Sequence, residues 1–212
     1  MGSQNNSTLI QGIIFYHSLV NFKHTDLLAL LHKMLPESLL EKYGLAKAQT
    51  TEVAHIGQLI PLLIALKTDE LFAASLNTFN REFTKAGGTV YSYHLDRGNP
   101  LQSPMHGVAH HALDLAYTFG NFDDAFSETD IKLSKTLMTH WIEFANGKEP
   151  WASYKAGKAL YAKPDAEVEV VPREKVTSRR WEGYAEMEKC WESVRKTGNM
   201  LMNGKLEEKG VL

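Results

Sequence analysis

The sequence has one cysteine, Cys190, in 212 residues. No disulfide can form within the chain, which excludes a stapled secreted scaffold and a cysteine-rich zinc module. It also lacks long apolar runs, since nothing approaches the roughly 18 consecutive apolar residues of a membrane span. No basic segment precedes the short stretch Gly12–Phe15, so no secretory leader is expected. Asn6 stands where N-myristoylation needs Ser or Thr. The formal sequons at Asn5 and Asn6 mean little without an export signal. Charge of one sign is missing too. With 23 Lys+Arg against 25 Asp+Glu the net charge is -2, and the basic excess of a nucleic-acid binder is absent. What is present, 43% apolar and 10% aromatic residues, is enough to fill a core. The expectation is a soluble, cytoplasmic protein with no nucleic-acid or membrane partner.

Periodicity predicts mostly helix. Thr25-Asp26 opens an apolar pattern through Leu27, Leu28, Leu30, Leu31 and Leu35, broken by Pro36. A short helix follows from Glu37 to Tyr43, stopped by Gly44. Residues 52–85 read as helix interrupted near Gly57–Pro61 and resumed at Asp69, with Leu71, Phe72, Leu76, Phe79 and Phe83 as its buried positions. Ser127-Glu128-Thr129-Asp130 resembles a capping box. It opens a long helix with Ile131, Leu133, Leu137, Met138, Trp141, Ile142 and Phe144 on its apolar face, closed by Asn146-Gly147. Ser178 to Lys196 is predicted helical, with Trp181, Tyr184, Met187, Trp191 and Val194 at spacings of 3, 3, 4 and 3. That stripe is expected to pack back on the domain, with docking on a partner as the alternative.

Only two segments read as strands: the β-branched and aromatic run Thr89–Leu95, and the alternating Glu167–Val171 ended by Pro172. A two-stranded sheet is marginal by itself, so the sheet is predicted to be incomplete: either a protein partner supplies the remaining strands, or the chain is part of something bigger. The composition shift at Pro164–Pro172 divides the chain into residues 1–172 and a helical C-terminal tail, 173–212.

Candidate chemistry lies at histidine. His17, His24, His32, His55, His94 and His140 are scattered singly, and their ordinary reading is structural. His106, His110 and His111 cluster after the loop Asp96–Pro104 that follows the first strand, where α/β folds place functional groups. His106 and His110 are spaced i, i+4 and would share a metal if helical. Gly107 and the missing Glu of H-E-x-x-H speak against it. The other reading is a general base oriented by a carboxylate. No cofactor and no metal are expected.

The segment His111-Ala112-Leu113-Asp114-Leu115-Ala116-Tyr117-Thr118-Phe119-Gly120 resembles the catalytic-histidine segment of the type-B carboxylesterase/cholinesterase family of α/β-hydrolases. That pattern reads H-G-x-[ED]-[IL]-x-[FY]-V-F-G. Ala112 replaces its Gly and Thr118 its Val. Asp69-Glu70-Leu71-Phe72 is similar to the family's D-x-x-F at a helix start, and Gly88–Tyr93 to its G-x-x-V-Y-x-Y strand. Leu137–Trp151 is similar to its W-x-x-F-A-x-x-G-x-P helix and loop. Together these cover residues 10–165 in consistent order, and several phrases resemble fungal members.

The resemblance implies a partial α/β-hydrolase fold, helix-rich with a few strands of an incomplete sheet, corresponding to the family's C-terminal half. It makes His111 the match to the general base, expected in a loop before a short helix with its ring toward a concave surface. Gln11 occupies the position of the triad acid and is expected near it. The family's nucleophile elbow G-x-S-x-G is absent, as no serine here has Gly at both −2 and +2. The Gly-rich oxyanion loop is absent too. A neutral Gln accepts a hydrogen bond from imidazole but does not stabilise imidazolium, and losing the analogous carboxylate costs on the order of 10⁴ in kcat in a serine protease. The implied protein is a truncated carboxylesterase-like chain without autonomous esterase activity, an accessory in fungal secondary metabolism. The alternatives are a non-catalytic binding module, or half of a split hydrolase whose partner supplies sheet and nucleophile for a small-molecule ester.

Overall fold

The computed structural model describes residues 24–46, 56–110 and 112–203. They fall into two compact units, one of Thr78–Arg179 and one of the described residues within Thr8–Asn77 and Arg180–Leu212. Among the described residues no helix is long and apolar enough to cross a membrane.

The second unit is helical. Helix α1 (His24–Met34) and helix α2 (Glu37–Lys42) are separated at Pro36, whose extended backbone (φ -66°, ψ 146°) makes it the N-cap of α2. Leu27, Leu31, Leu39 and Leu40 are fully buried. Helix α3 (Ile56–Thr68) runs through Pro61 without the interruption expected there. A proline removes one ladder bond near a helix start, and the buried anchors Leu59, Leu63 and Leu66 hold the helix across it. Nor does Asp69 begin a new helix. Residues Asp69–Ala73 form a π-helical segment that continues directly into α4 (Ala74–Lys85), whose residues from Thr78 onward belong to the first unit. Such bulges insert one residue into the helical ladder, and here the bulge carries two consecutive buried carboxylates. Asp69 accepts from Tyr43 Oη at 2.8 Å and from Arg180 Nε at 2.6 Å, and Glu70 pairs with buried Lys67.

The helical stretch expected over 178–196 is two helices, α7 (Trp181–Lys189) and α8 (Trp191–Met202), broken at Cys190. Tyr184, Met187 and Val194 join one core with Leu27–Leu45, Leu59 and Leu63, and Trp181 and Trp191 pack at its margin. The stripe therefore packs back on α1–α3.

The apolar face predicted for α4 is not buried. Leu71, Leu76, Phe79 and Phe83 are exposed, and Phe79 stacks on Phe83 at 5.6 Å. Periodicity identifies residues that share a face, but burial needs a neighbouring layer that no local pattern supplies.

Among the described residues the first unit holds a three-stranded mixed sheet in the order β1-β2-β3. Strand β1 is only Tyr93–Leu95, shorter than the run Thr89–Leu95, and pairs in parallel with β2 (Lys158–Ala162). Strand β3 (Val168–Pro172) is antiparallel to β2, close to its predicted bounds. Sequence reasoning missed β2, because Lys-Ala-Leu-Tyr-Ala contains no β-branched residue. Helix α5 (Leu113–Phe119) and helix α6 (Glu128–Ala145) cover the sheet, with Leu113, Tyr117, Leu133, Leu137 and Leu160 in the core. Ser127 caps α6, its Oγ accepting from the Asp130 amide, as the capping pattern predicts. Trp141, Ile142 and Phe144, expected on the apolar face of α6, are exposed at its C-terminal end. The architecture is that of a helix-rich, partial α/β-hydrolase fold.

Candidate functional site

Strand β1 delivers the chain into a loop, residues 96–110, that carries His106 and His110. The loop is built as two arms pressed together. Asn99 N–H donates to Val108 O at 2.9 Å and Gly107 N–H to Asn99 O at 2.8 Å. The arms touch so closely that a Cβ on Gly98 would lie 2.5 Å from Gly107 O. Gly107 turns with φ +76°, in the left-handed region that favours glycine. The side chain of Asn99 is buried and fills the loop interior. Its Oδ1 accepts from Leu101 N–H at 2.9 Å, and its Nδ2 lies 3.2 Å from both Ser103 Oγ and His110 Nε2.

His106 and His110 therefore have structural partners in the loop. His106 Nδ1 donates to Leu101 O at 3.1 Å, closing the tip. The segment is not helical, so the i, i+4 geometry of a shared metal is not formed, and among the described residues no group of three His, Cys, Asp or Glu side chains could hold a metal ion. His111, the match to the base, and Gln11, at the acid position, both lie outside the described residues, as do His17 and His55. The flanks of His111 are described. Residue 110 is in loop, Ala112 has φ 65°, and α5 begins at Leu113. Ala112 thus occupies a left-handed position where the resembling pattern has Gly, a conformation that costs an alanine about 1 kcal/mol.

Three polar contacts fix the frame around the loop. Tyr93 of β1 donates to Asp114 of α5 at 2.5 Å, and burial together with that carboxylate raises the phenol pKa. Arg97, just beyond β1, makes a two-pronged pair with Asp130 of α6, Nε to Oδ1 at 2.7 Å and Nη2 to Oδ2 at 2.9 Å. Tyr117 of α5 and Ser127 donate to the same carboxylate at 2.9 and 2.5 Å. Burial works to raise the Asp130 pKa, but the bonds from Arg97, Ser127 and Tyr117 outweigh it and hold the group below its ordinary value. On the other side of the loop start, buried Asp96 accepts from Ser178 at 2.5 Å and faces Arg179 Nη2 at 3.0 Å.

Of the scattered histidines, His94 lies in β1 and accepts at Nδ1 from Arg179 Nε at 3.2 Å. Burial, then the charges of Arg179 and Arg173, push its pKa down to about 3. His94 is neutral at physiological pH and too weak a base to take a proton there. His32 faces Glu37 at 3.2 Å, and His140 faces Glu143 at 3.3 Å with its ring edge-on to Trp151. Sequence reasoning missed Asn99, and missed the roles of Tyr93, Arg97 and Asp130. The only local signal for the first was its place in the turn-forming Gly98-Asn99-Pro100.

Among the described residues, no strand pairs with one edge of the sheet beside this loop. Leu160 N–H donates to Ser92 O and Asp96 N–H to Ala162 O, so the register turns the main-chain groups of residues 92, 94 and 96 toward β2. Those of Tyr93 and Leu95 point the other way, and among the described residues no strand pairs with them. Exposed Trp141 and Phe144 of α6 make edge-to-face contact with Tyr93 and Tyr91 respectively.

The sequence model of the carboxylesterase family matches residues 11–207. Lipase 3 of the yeast Yarrowia lipolytica is 34% identical over 104 residues, which cover 45% of this chain and 19% of the lipase. Liver carboxylesterase 1F of Rattus norvegicus is 33% identical over 93 residues, covering 42% of this chain and 17% of the rat protein. The matched part thus spans less than a fifth of the length of either relative. No solved structure matches.

Proposed function

The chain belongs to the carboxylesterase family, and from that premise we propose that its 212 residues carry the general-base segment of a carboxylic ester hydrolase without hydrolysing esters on their own. The observation that carries this reading is the pairing of His111, which follows directly on the loop after β1, with a sequence in which no serine sits in an elbow. Without a positioned hydroxyl or thiol to activate, an imidazole cannot run the serine acyl-enzyme route. Gln11 at the acid position supports the same conclusion, since an amide cannot stabilise the imidazolium. A fungal character and an accessory setting in secondary metabolism are part of this proposal and rest on the phrases of the sequence that resemble fungal members.

A second reading, half of a split hydrolase, has a specific observation in its favour. An exposed sheet edge is a template for pairing with another chain, and among the described residues β1 is the outermost strand of its sheet, with exposed Trp141 against its Tyr93. A polypeptide presenting a further strand and an activated serine would fill that edge and take a small-molecule ester as substrate.

One experiment separates the readings. The purified chain is treated with a fluorophosphonate, alone and after co-expression with a G-x-S-x-G-bearing carboxylesterase segment. No labelling alone is the expected outcome. Covalent labelling of a serine of this chain refutes the first reading. Labelling of the added segment that depends on this chain and disappears in His111→Gln establishes the second.

A further inference from the structure

At the centre of the loop that leads to His111 lies the side chain of Asn99, and its chemistry fixes a proton. Leu101 N–H can only donate, so the Asn99 atom facing it at 2.9 Å must be the carbonyl oxygen. The amide nitrogen then faces His110 Nε2 and Ser103 Oγ, each at 3.2 Å, and gives one hydrogen to each. His110 Nε2 must accept, and the imidazole proton of the neutral ring sits on Nδ1. The orientation of the amide follows from a main-chain donor and needs no assumption about the histidine. At the same residue the main chain joins the loop arms through Val108 and Gly107. Asn99 thus holds both arms and the ring of His110, the residue that precedes His111 in the chain.

We infer that Asn99 is a positioning residue: it locks His110 in the Nδ1–H tautomer and so fixes the end of the loop from which the chain enters His111. The inference deepens the reading of His111 as the base and rests on it for its functional meaning. Its test reads His110 in the resting chain and does not depend on esterase chemistry. His110 is itself excluded as the base, because the nitrogen that would take a substrate proton at Nε2 is occupied by the Asn99 amide.

The test is a long-range ¹H–¹⁵N correlation spectrum of the imidazoles of the full chain at a pH where histidine is neutral, with His110 assigned by His110→Gln. The expected wild-type pattern is a protonated Nδ1 and a bare Nε2. Asn99→Asp keeps an oxygen for Leu101 N–H but puts an acceptor opposite His110, so the proton must move to Nε2, either as the other tautomer or as imidazolium. The two ring-nitrogen shifts should exchange or converge accordingly. Asn99→Gln retains the amide chemistry on a longer arm and should restore the wild-type pattern only in part. A wild-type ring with its proton on Nε2, or an unchanged pattern in Asn99→Asp with the loop amides in place, overturns the inference. If Asn99→Asp fails to fold, the wild-type tautomer alone decides. A correct tautomer together with a failed ester-hydrolase reconstitution would leave Asn99 as the loop's anchor and refute only the split-hydrolase reading.

Discussion

Replacing Asp130 by Asn should destabilise the unit that carries the histidine loop by about 3 kcal/mol. The carboxylate is 1% exposed and accepts from Arg97 twice, from Tyr117 and from Ser127. Asparagine keeps one acceptor oxygen. Placed at Oδ1 it retains neutral bonds from Arg97 Nε and Tyr117, while its amide nitrogen then meets Arg97 Nη2 donor to donor. Breaking a buried ion pair from one side costs about 3–5 kcal/mol as a rule, because a charge is left without its partner. Arg97 is 26% exposed and keeps a bond to Pro164 O at 2.9 Å. Partial rehydration therefore brings the cost to the lower end. With a urea slope of about 2 kcal/mol/M, the midpoint should fall by about 1.5 M. Trp141 and Trp151, both in this unit, report the transition by fluorescence. A cycle with Arg97→Met should give a coupling energy above about 1 kcal/mol. Because the carboxyl pKa is lowered in the folded state, its contribution is complete above the ordinary carboxylate range and is lost as pH falls through the folded value. The Asp130→Asn variant should lack that acid-side loss. A midpoint unchanged within about 0.3 M, or no coupling to Arg97, would refute the account of this cluster as the frame of the loop.

Two further outcomes follow from the same region. His94 is held neutral with its pKa at about 3, against about 6.5 unfolded, so its contribution is complete above 6.5 and drains as pH falls toward 3. Between about pH 7 and about pH 5 the wild type should lose about 2 kcal/mol that His94→Gln does not lose, and parallel denaturation curves at the two pH values would contradict this. Ala112→Gly should raise stability by about 1 kcal/mol by relieving the left-handed backbone at φ 65°. A fall in thermal midpoint would show that the position is not strained.

Much of this chain is legible in its residues alone. Local signals with a direct backbone cause were readable: the break at Pro36, the Ser127 cap on α6, the strand ended by Pro172, and the loop that carries His106 and His110. The His111–Gly120 pattern identified the family because its spacing is set by chemistry at one short segment. The rest depended on packing. That Phe79 and Phe83 are exposed while Asp69 and Glu70 are buried reverses what side-chain polarity predicts. Burial depends on which layer stands opposite, and the carboxylates are tolerated inside because Arg180, Tyr43 and Lys67 meet them there. Strand β2 exists because the antiparallel β3 and the parallel β1 complete its hydrogen bonds, which its own residues do not announce. The stripe from Trp181 to Val194 was readable as apolar and core-facing, but it is carried by two helices, and its partners, Leu27 through Leu63, lie far earlier in the chain, a pairing set by shape and apolar area. Asn99 looked like any turn residue. Only the folded loop brings His110, Ser103 and the Leu101 amide around it, since a side-chain amide acquires a role from the donors and acceptors that close upon it.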